Sequence, residues 1–452
     1  MPKENKPSDS LPDAVLFQPI VATRSSFYYL ALALLGVGSF GFFAWLWQLR
    51  RGLGVTGLNV PVYWGVYITN FVFFIGISHA GTLISAILRL VDAEWRRSIT
   101  RAAEVITVLV LFFGVGSVIM DLGRPDRLLN VLRHPNFRSP LLWDVCSISV
   151  YLTASTIYLY LPLIPDLALL RDHAGKYTAL YRFLAIGWQG TERQKRNLDR
   201  AIAVMAVLVI PVAVSVHTVV SWVFGMTVQP MWHSTIFGPY FVVGAIFSGI
   251  ASLIIAMALI RRIYFLQDYL KPIHFNNLGL LLLVMALAWF YFTFAENLTT
   301  FYGGEPAHLL VLYSKLTGRF APMFWTMILT CFLIPVALLA RPETRTVAGT
   351  VIASISVNIG MWLERFVIVV PTLSRPRLPF PEGIYSPTWV EVGVTLGFAT
   401  TFIFLYMLFT KFFPIVSIWE VQEGRERALT EVVARVRSYL PGEVIEATES
   451  GK

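Results

Sequence analysis

Five ionisable side chains stand where this sequence is otherwise built of lipid-soluble residues: His79, Asp121, Asp144, His217 and Glu296. Three carboxyls and two imidazoles form a set suited to accepting and passing on protons, because burial and mutual proximity shift when each group ionises. A charge at the centre of a membrane helix costs about 3 kcal/mol or more unless it is paired or wetted, so each such residue is a functional candidate by default. His79 lies in Gly76-Ile77-Ser78-His79-Ala80-Gly81-Thr82, where small residues let another helix approach closely. Asp121 opens the turn Asp121-Leu122-Gly123-Arg124-Pro125-Asp126-Arg127, and its plain alternative role is to pair with Arg124 or Arg127. Asp144 follows Trp143 inside an apolar stretch, and Glu296 precedes Asn297 at the end of another. A lone helical histidine is often only a packing residue, and that reading stands beside the functional one for His79 and His217. Glu364 and Arg365 are sequence neighbours and read as structural pairs with groups on other helices.

The elements that hold these groups are apolar runs of about 20 residues, the length at which a helix crosses the hydrocarbon with every backbone group paired internally. We place them at 27–48, 62–88, 102–120, 140–163, 200–224, 238–260, 277–300, 321–340, 347–370 and 391–413. Hydrophobic residues make up 56% of the chain and charged ones only 14%, against roughly a quarter in soluble proteins. An all-α integral membrane protein of about ten transmembrane helices follows. Ten spans put both termini on one side, which carries 25 of the 36 Lys and Arg against 10 opposite. Basic residues stay cytoplasmic, so both termini are expected inside the inner membrane of a bacterium. The net charge of +9 is thus a topology signal, and no basic stripe interleaved with stacking aromatics points to nucleic acid. Residues 1–26 are polar and lack the pattern of a cleaved signal peptide. The tail at 414–452 reads as a solvated anchor with an amphipathic helix from Glu420 to Val444.

Trp64-Gly65-Val66-Tyr67 opens the second run and Phe237-Gly238-Pro239-Tyr240 the sixth; Ser139-Pro140-Leu141-Leu142-Trp143 opens the fourth and Ala321-Pro322-Met323-Phe324-Trp325 the eighth. Two matches in the same order indicate a duplication. Two four-helix bundles follow, spans 2–5 within 62–225 and spans 6–9 within 238–371, with one peripheral helix at each end (27–48 and 391–413). The first copy has Asp144 and His79 where the second has Thr326 and, near Gly249, Ala251 and Ser252, so chemistry is expected in the first. Counted along the runs, Asp121, Asp144 and Glu296 fall near the outer surface, His217 deeper, and His79 deeper still. Two histidines at different depths do not suit a bis-histidine haem. Cys146 and Cys331 are too few for an iron–sulfur cluster, and no metal-binding pattern is apparent. The outer loops are rich in aromatics, as in Met231-Trp232-His233 and Phe301-Tyr302-Gly303-Gly304-Glu305. An anchoring belt explains part of this; a docked partner is the other reading.

The Trp64-Gly65 opening with Gly76…His79-Ala80-Gly81, the Asp121-Leu122-Gly123-Arg124-Pro125 turn and Arg138-Ser139-Pro140…Trp143 resemble the NrfD and polysulfide-reductase membrane subunits. The turn is the most specific of these. The additional N-terminal span and His79-Ala80-Gly81-Thr82 look most like the ActC type of subunit from bacterial alternative complex III. The resemblance covers about residues 60–415. It implies a subunit with no haem or cluster of its own, and a quinol substrate (menaquinol or ubiquinol) bound near the periplasmic end of the first bundle. It also implies a periplasmic iron–sulfur subunit as electron acceptor, multihaem cytochrome c subunits beyond it, and a homologous second membrane subunit.

On that basis the quinol head group is expected to enter between spans two to five and meet Asp121, with Tyr63, His79, Arg124, Asp126 and His134 around it. Asp121, then Asp144 or His217, would accept its protons. His79, Asp144, His217 and Glu296 would form a proton route. Buried titratable groups and internal repeats also suit a secondary transporter or proton channel, which typically breaks a helix at its site. A quinone-reducing anchor of the NrfD kind and a purely structural anchor are the remaining alternatives.

Overall fold

The computed structural model describes residues 25–173, 177–227, 229–377 and 381–439, together with residues 16, 19, 20 and 23. The described residues form helices and loops without a strand. Ten helices are long and apolar enough to cross a membrane: Ser25–Arg51, Val66–Leu90, Thr100–Asp121, Pro140–Asp172, Glu192–Gly225, Phe237–Ile263, Pro272–Gly303, Ala321–Leu339, Val347–Ser374 and Trp389–Phe412. They are called here the first to tenth spans. All ten expected runs are present, several with longer ends. Most of the N-terminal segment expected over 1–26 lies outside the described residues, as does the tail beyond residue 439.

The two pieces of the second span pack on the third and fifth, and the fourth packs along the fifth. The sixth span touches the second, fifth, seventh and ninth, joining the two halves of the chain. The first and tenth spans run along each other at the side of the third. Glycine makes that crossing possible: a Cβ on Gly41 would stand 2.6 Å from the Gly397 Cα, and one on Gly393 would press on Phe40 and Ala44. Lipid offers no hydrophobic drive between helices, so such backbone-to-backbone contact supplies the attraction.

The second span is not the continuous run expected over 62–88. It breaks at Ser78, between Val66–Ile77 and His79–Leu90. Backbone groups freed inside a membrane must find partners within the protein. Here Tyr151 Oη donates to the Ser78 carbonyl at 3.0 Å, Thr107 Oγ1 donates to the same oxygen, and the Gly81 amide donates to Thr107 Oγ1 at 3.0 Å. The eighth span also departs from a plain helix, with a π turn at Leu329–Leu333 just before Pro335. Pro335 has no N–H to offer the preceding turn, and a wider turn accommodates that loss.

The turn after the third span shows why its residue types are needed. Gly123 has φ +64°, a left-handed conformation that ends the helix at little steric cost. Pro125 then starts a short 3-10 turn, Pro125–Arg127, where its missing N–H is no loss.

The tail helix spans Ile418–Tyr439 and is more than a solvated anchor. Ser417, Ile418 and Glu420 are each no more than 2% exposed. Glu420 pairs with Arg89 and, at 3.3 Å, with Arg96; Arg97 donates to the Glu420 carbonyl at 3.0 Å. Residues 440–444 of the expected amphipathic helix lie outside the described residues.

Candidate functional site

Asp121 is the last residue of the third span, and its Oδ1 is buried without a hydrogen-bond partner among the described residues. It pairs with neither Arg124 nor Arg127. The polar groups that stand near it come from the first, second and tenth spans. Gln48 of the first span, 2% exposed, donates to the Met120 carbonyl at 2.8 Å and accepts from Tyr67 Oη at 2.5 Å. Glu391 of the tenth span and Tyr67 both lie within electrostatic reach of Asp121. The two carboxylates differ in one decisive respect. Glu391 accepts from the Gly57 amide at 2.7 Å, Tyr385 Oη at 2.6 Å and the Thr388 amide at 3.0 Å, so its lone pairs are in use. Asp121 keeps one free, in a buried setting where an unmade bond is costly.

The expected difference in depth between His79 and His217 is wrong. Their rings meet edge to face with centroids 3.9 Å apart. Counting along each run does not report how far one helix is shifted along its neighbour, and that shift brings His79 level with His217. His79 Nε2 donates to the Ala213 carbonyl at 2.8 Å, and the Ile75 carbonyl one turn back also lies near the ring. Neither nitrogen of His217 has a hydrogen-bond partner among the described residues.

Polar groups continue on both sides of this pair. Toward the tail helix, Tyr151 Oη lies 2.5 Å from Thr82 Oγ1, Ser85 Oγ donates to Glu104 at 2.7 Å, and Tyr158 Oη is 3.2 Å from Ser85 Oγ. Glu104, 4% exposed, is within electrostatic reach of Arg89 and Glu420. In the other direction His217 is within reach of the Arg365 guanidinium, which packs against Gly244 and stands over the Phe241 ring at 5.0 Å. Arg365 pairs with its sequence neighbour Glu364 at 2.6 Å rather than with another helix. Trp289 Nε1 also donates to Glu364, at 3.3 Å.

Glu296 stands apart from the histidines, in the second half of the chain. It accepts from Ser234 Oγ at 2.7 Å and lines a cavity of about 40 Å³ with Tyr240, Lys315 and Glu364, space for one or two waters. Lys315 belongs to the helix Pro306–Leu316, outside the spans, and is only 7% exposed. Burial pushes its ammonium down to about 8, against the opposing pull of Glu296 and Glu364. Between that value and the ordinary lysine range the unfolded chain holds a proton the folded one has released, so stability rises with pH across this window. Lys315→Met should abolish that rise. Melting temperatures of both proteins in nanodiscs at pH 7.5 and 9.5 check it; an equal pH response would refute the assignment.

The other expected residues are scattered. Asp144 is buried with Oδ1 unpartnered, one turn into the fourth span. Arg124 and Asp126 pair with each other at 2.9 Å on the surface, 63% and 60% exposed. That bond holds the Asp126 carboxyl below its usual range. His134 is exposed, and Tyr63, also exposed, is 3.5 Å from the Gln229 amide. Gln48, Tyr67, Glu104, Tyr151, Lys315 and Glu391 were not anticipated. Gln48 and Glu104 were visible as polar residues within or beside apolar runs; the tyrosines could not be told from belt aromatics.

A family model described as polysulphide reductase, NrfD, matches residues 54–376. A putative dimethyl sulfoxide reductase membrane subunit of Halobacterium salinarum is 27% identical over 407 residues, 85% of this chain and 90% of its own. The Hdr-like menaquinol oxidoreductase integral membrane subunit of Archaeoglobus fulgidus is 23% identical over 442 residues, 93% of this chain and 99% of its own. The menaquinone reductase integral membrane subunit of Nitratidesulfovibrio vulgaris is 23% identical over 399 residues, 83% and 88% of the two chains.

Proposed function

Because the chain belongs to the polysulphide reductase NrfD family, we propose that it is the quinol-reactive membrane subunit of a multisubunit electron-transfer complex. Two relatives are named for menaquinol or menaquinone chemistry, which supports a lipid quinone as the substrate class. The observation that carries the site is the buried, unpartnered oxygen of Asp121 beside Gln48 and Tyr67.

Oxidation of a quinol breaks two O–H bonds and releases two protons and two electrons. Asp121 accepts a hydrogen bond from one hydroxyl and takes its proton as general base. Glu391, held by three donors, stays fixed and orients Tyr385 and the start of the tenth span. Asp144 is the second candidate base. The electrons pass to an iron–sulfur subunit on the outer face, with cytochrome subunits beyond it and a homologous membrane subunit alongside. The surplus of basic residues on the terminal side supports a cytoplasmic location for both termini. Within the family, His79-Ala80-Gly81-Thr82 and the first span favour the ActC type of alternative complex III and the quinol-oxidising direction.

The file Glu296–Lys315, Glu364–Arg365, His217–His79, Tyr151–Thr82 and Ser85–Glu104 supplies a proton route through the protein. It retains three of the four residues first assigned to such a route and leaves Asp144 to the quinol. The broken second span is a trait shared with carriers and channels. Family membership weighs for the redox reading, and the break fits it by setting His79 against His217.

A photoreactive quinone added to the purified complex should label peptides containing Asp121, Gln48 or Glu391, and quinol should reduce the partner's centres. Label confined to the Glu296 cavity would move the site to the second half. Absence of any quinol- or quinone-coupled electron transfer would return the chain to a transport or anchoring role.

A further inference from the structure

Three metal-ligating side chains from two separate outer segments converge on the face that carries Asp121. His233 lies between the fifth and sixth spans; Glu305 stands immediately before the helix Pro306–Leu316, and His308 lies in its first turn. One ligand atom from each lies within 4.8 Å of the others. The imidazoles of His233 and His308 meet at 4.8 Å between centroids, and His308 Nε2 is 3.6 Å from Glu305 Oε2. His233 Nδ1 is 3.3 Å from the Gln229 carbonyl. Donation through Nδ1–H fixes the tautomer and presents the Nε2 lone pair, the usual outer support of a metal-bound histidine.

We propose that His233, Glu305 and His308 form a binding site for a divalent transition metal, with zinc the best match. Two imidazoles and one carboxylate suit zinc better than calcium or magnesium, which favour all-oxygen shells. Zinc bonds of about 2.0–2.2 Å in a tetrahedron separate the ligand atoms by roughly 3.3 Å. The three groups therefore close by up to about 1.5 Å on binding, a movement open to His233 and Glu305, which are both exposed. Three protein ligands leave the fourth position to solvent.

An ordinary Glu305–His308 ion pair accounts for two of these residues but not for His233, which is brought in from a different loop. The ion would tie that loop to the helix carrying Lys315. Ser234, next in sequence to His233, donates to Glu296, and Met231 Sδ is 3.9 Å from Lys315 Nζ. A metal here thus staples the cover of the Glu296–Lys315 cavity.

The test uses the full chain in nanodiscs after chelation, titrated with ZnCl₂ by calorimetry and with CoCl₂ by visible absorption. One ion per chain is expected, with the intense d–d bands of four-coordinate cobalt. His308→Ala and His233→Ala should each weaken binding at least about tenfold, while elution profile and metal-free melting temperature stay as in the parent. His233→Asn, which keeps a polar side chain, serves as the second variant if the alanine form is unstable. Failure to bind one equivalent, or binding unchanged in the His233→Ala/His308→Ala double variant, overturns the proposal. Neither outcome touches the quinol reading, which rests on Asp121.

Discussion

Asp121→Asn is expected to lower quinol-dependent electron transfer by about 10²-fold or more, the range in which a positioned general base contributes. The substitution keeps the shape of the side chain and removes its ability to take a proton. Its Oδ1 has no hydrogen bond to lose, so the fold and the association with partner subunits should persist. Glu391→Gln provides the contrast. That side chain accepts from two backbone amides and a tyrosine; an amide nitrogen turned toward either backbone amide sets donor against donor, and one turned toward Tyr385 takes away the acceptor of its hydroxyl proton. It should loosen the start of the tenth span and lower the melting temperature, whereas Asp121→Asn should not. Turnover measured in the assembled complex decides the matter: parental rates in Asp121→Asn would remove this residue from the reaction.

Arg101→Ala should destabilise the protein by about 3–5 kcal/mol, the typical result of leaving one half of a buried ion pair behind. Arg101 and Asp166 are 1% and 0% exposed and pair directly. The guanidinium also donates to the Pro162 carbonyl at 2.8 Å and to Ser417 Oγ at 3.1 Å. Asp166 in turn accepts from the amides of Ile418 and Trp419 at 3.1 and 3.0 Å. One pair therefore ties the third and fourth spans to the first turn of the tail helix. Loss of Arg101 should release that helix, which limited proteolysis of the tail would report alongside melting. The exposed Arg124–Asp126 pair is the contrast: Arg124→Ala should leave the melting temperature close to that of the parent. Equal effects of the two substitutions would contradict the buried-pair account.

The ten spans were readable because a lipid-crossing helix must be long and apolar, and composition alone reports both. The turn Asp121-Leu122-Gly123-Arg124-Pro125 was readable because its backbone demands glycine and tolerates proline where they occur. What escaped was lateral. The break at Ser78 rests on hydroxyls donated by Thr107 and Tyr151 from other helices, and no local residue announces it. The contact between His79 and His217 depends on how far neighbouring helices slide past each other, which residue counting within a run does not capture. Nothing in the sequence around Lys315 marks it, yet the helix Pro306–Leu316 buries it beside Glu296. Asp121 was named from its position at a span end; its neighbours Gln48 and Glu391 come from the two runs taken to be peripheral. Polar residues were thus easier to notice than to group, since grouping is decided by which faces of distant helices meet.

The crossing of Gly41 with Gly397 has a consequence for biogenesis. The first span is made well before the tenth, its principal neighbour, and until the tenth follows, its glycine face stands against bare lipid. Gln48 and Glu391 lie on these same two helices, both outside the matched stretch 54–376. The surroundings of Asp121 are therefore completed only once the tenth span has entered the bilayer beside the first.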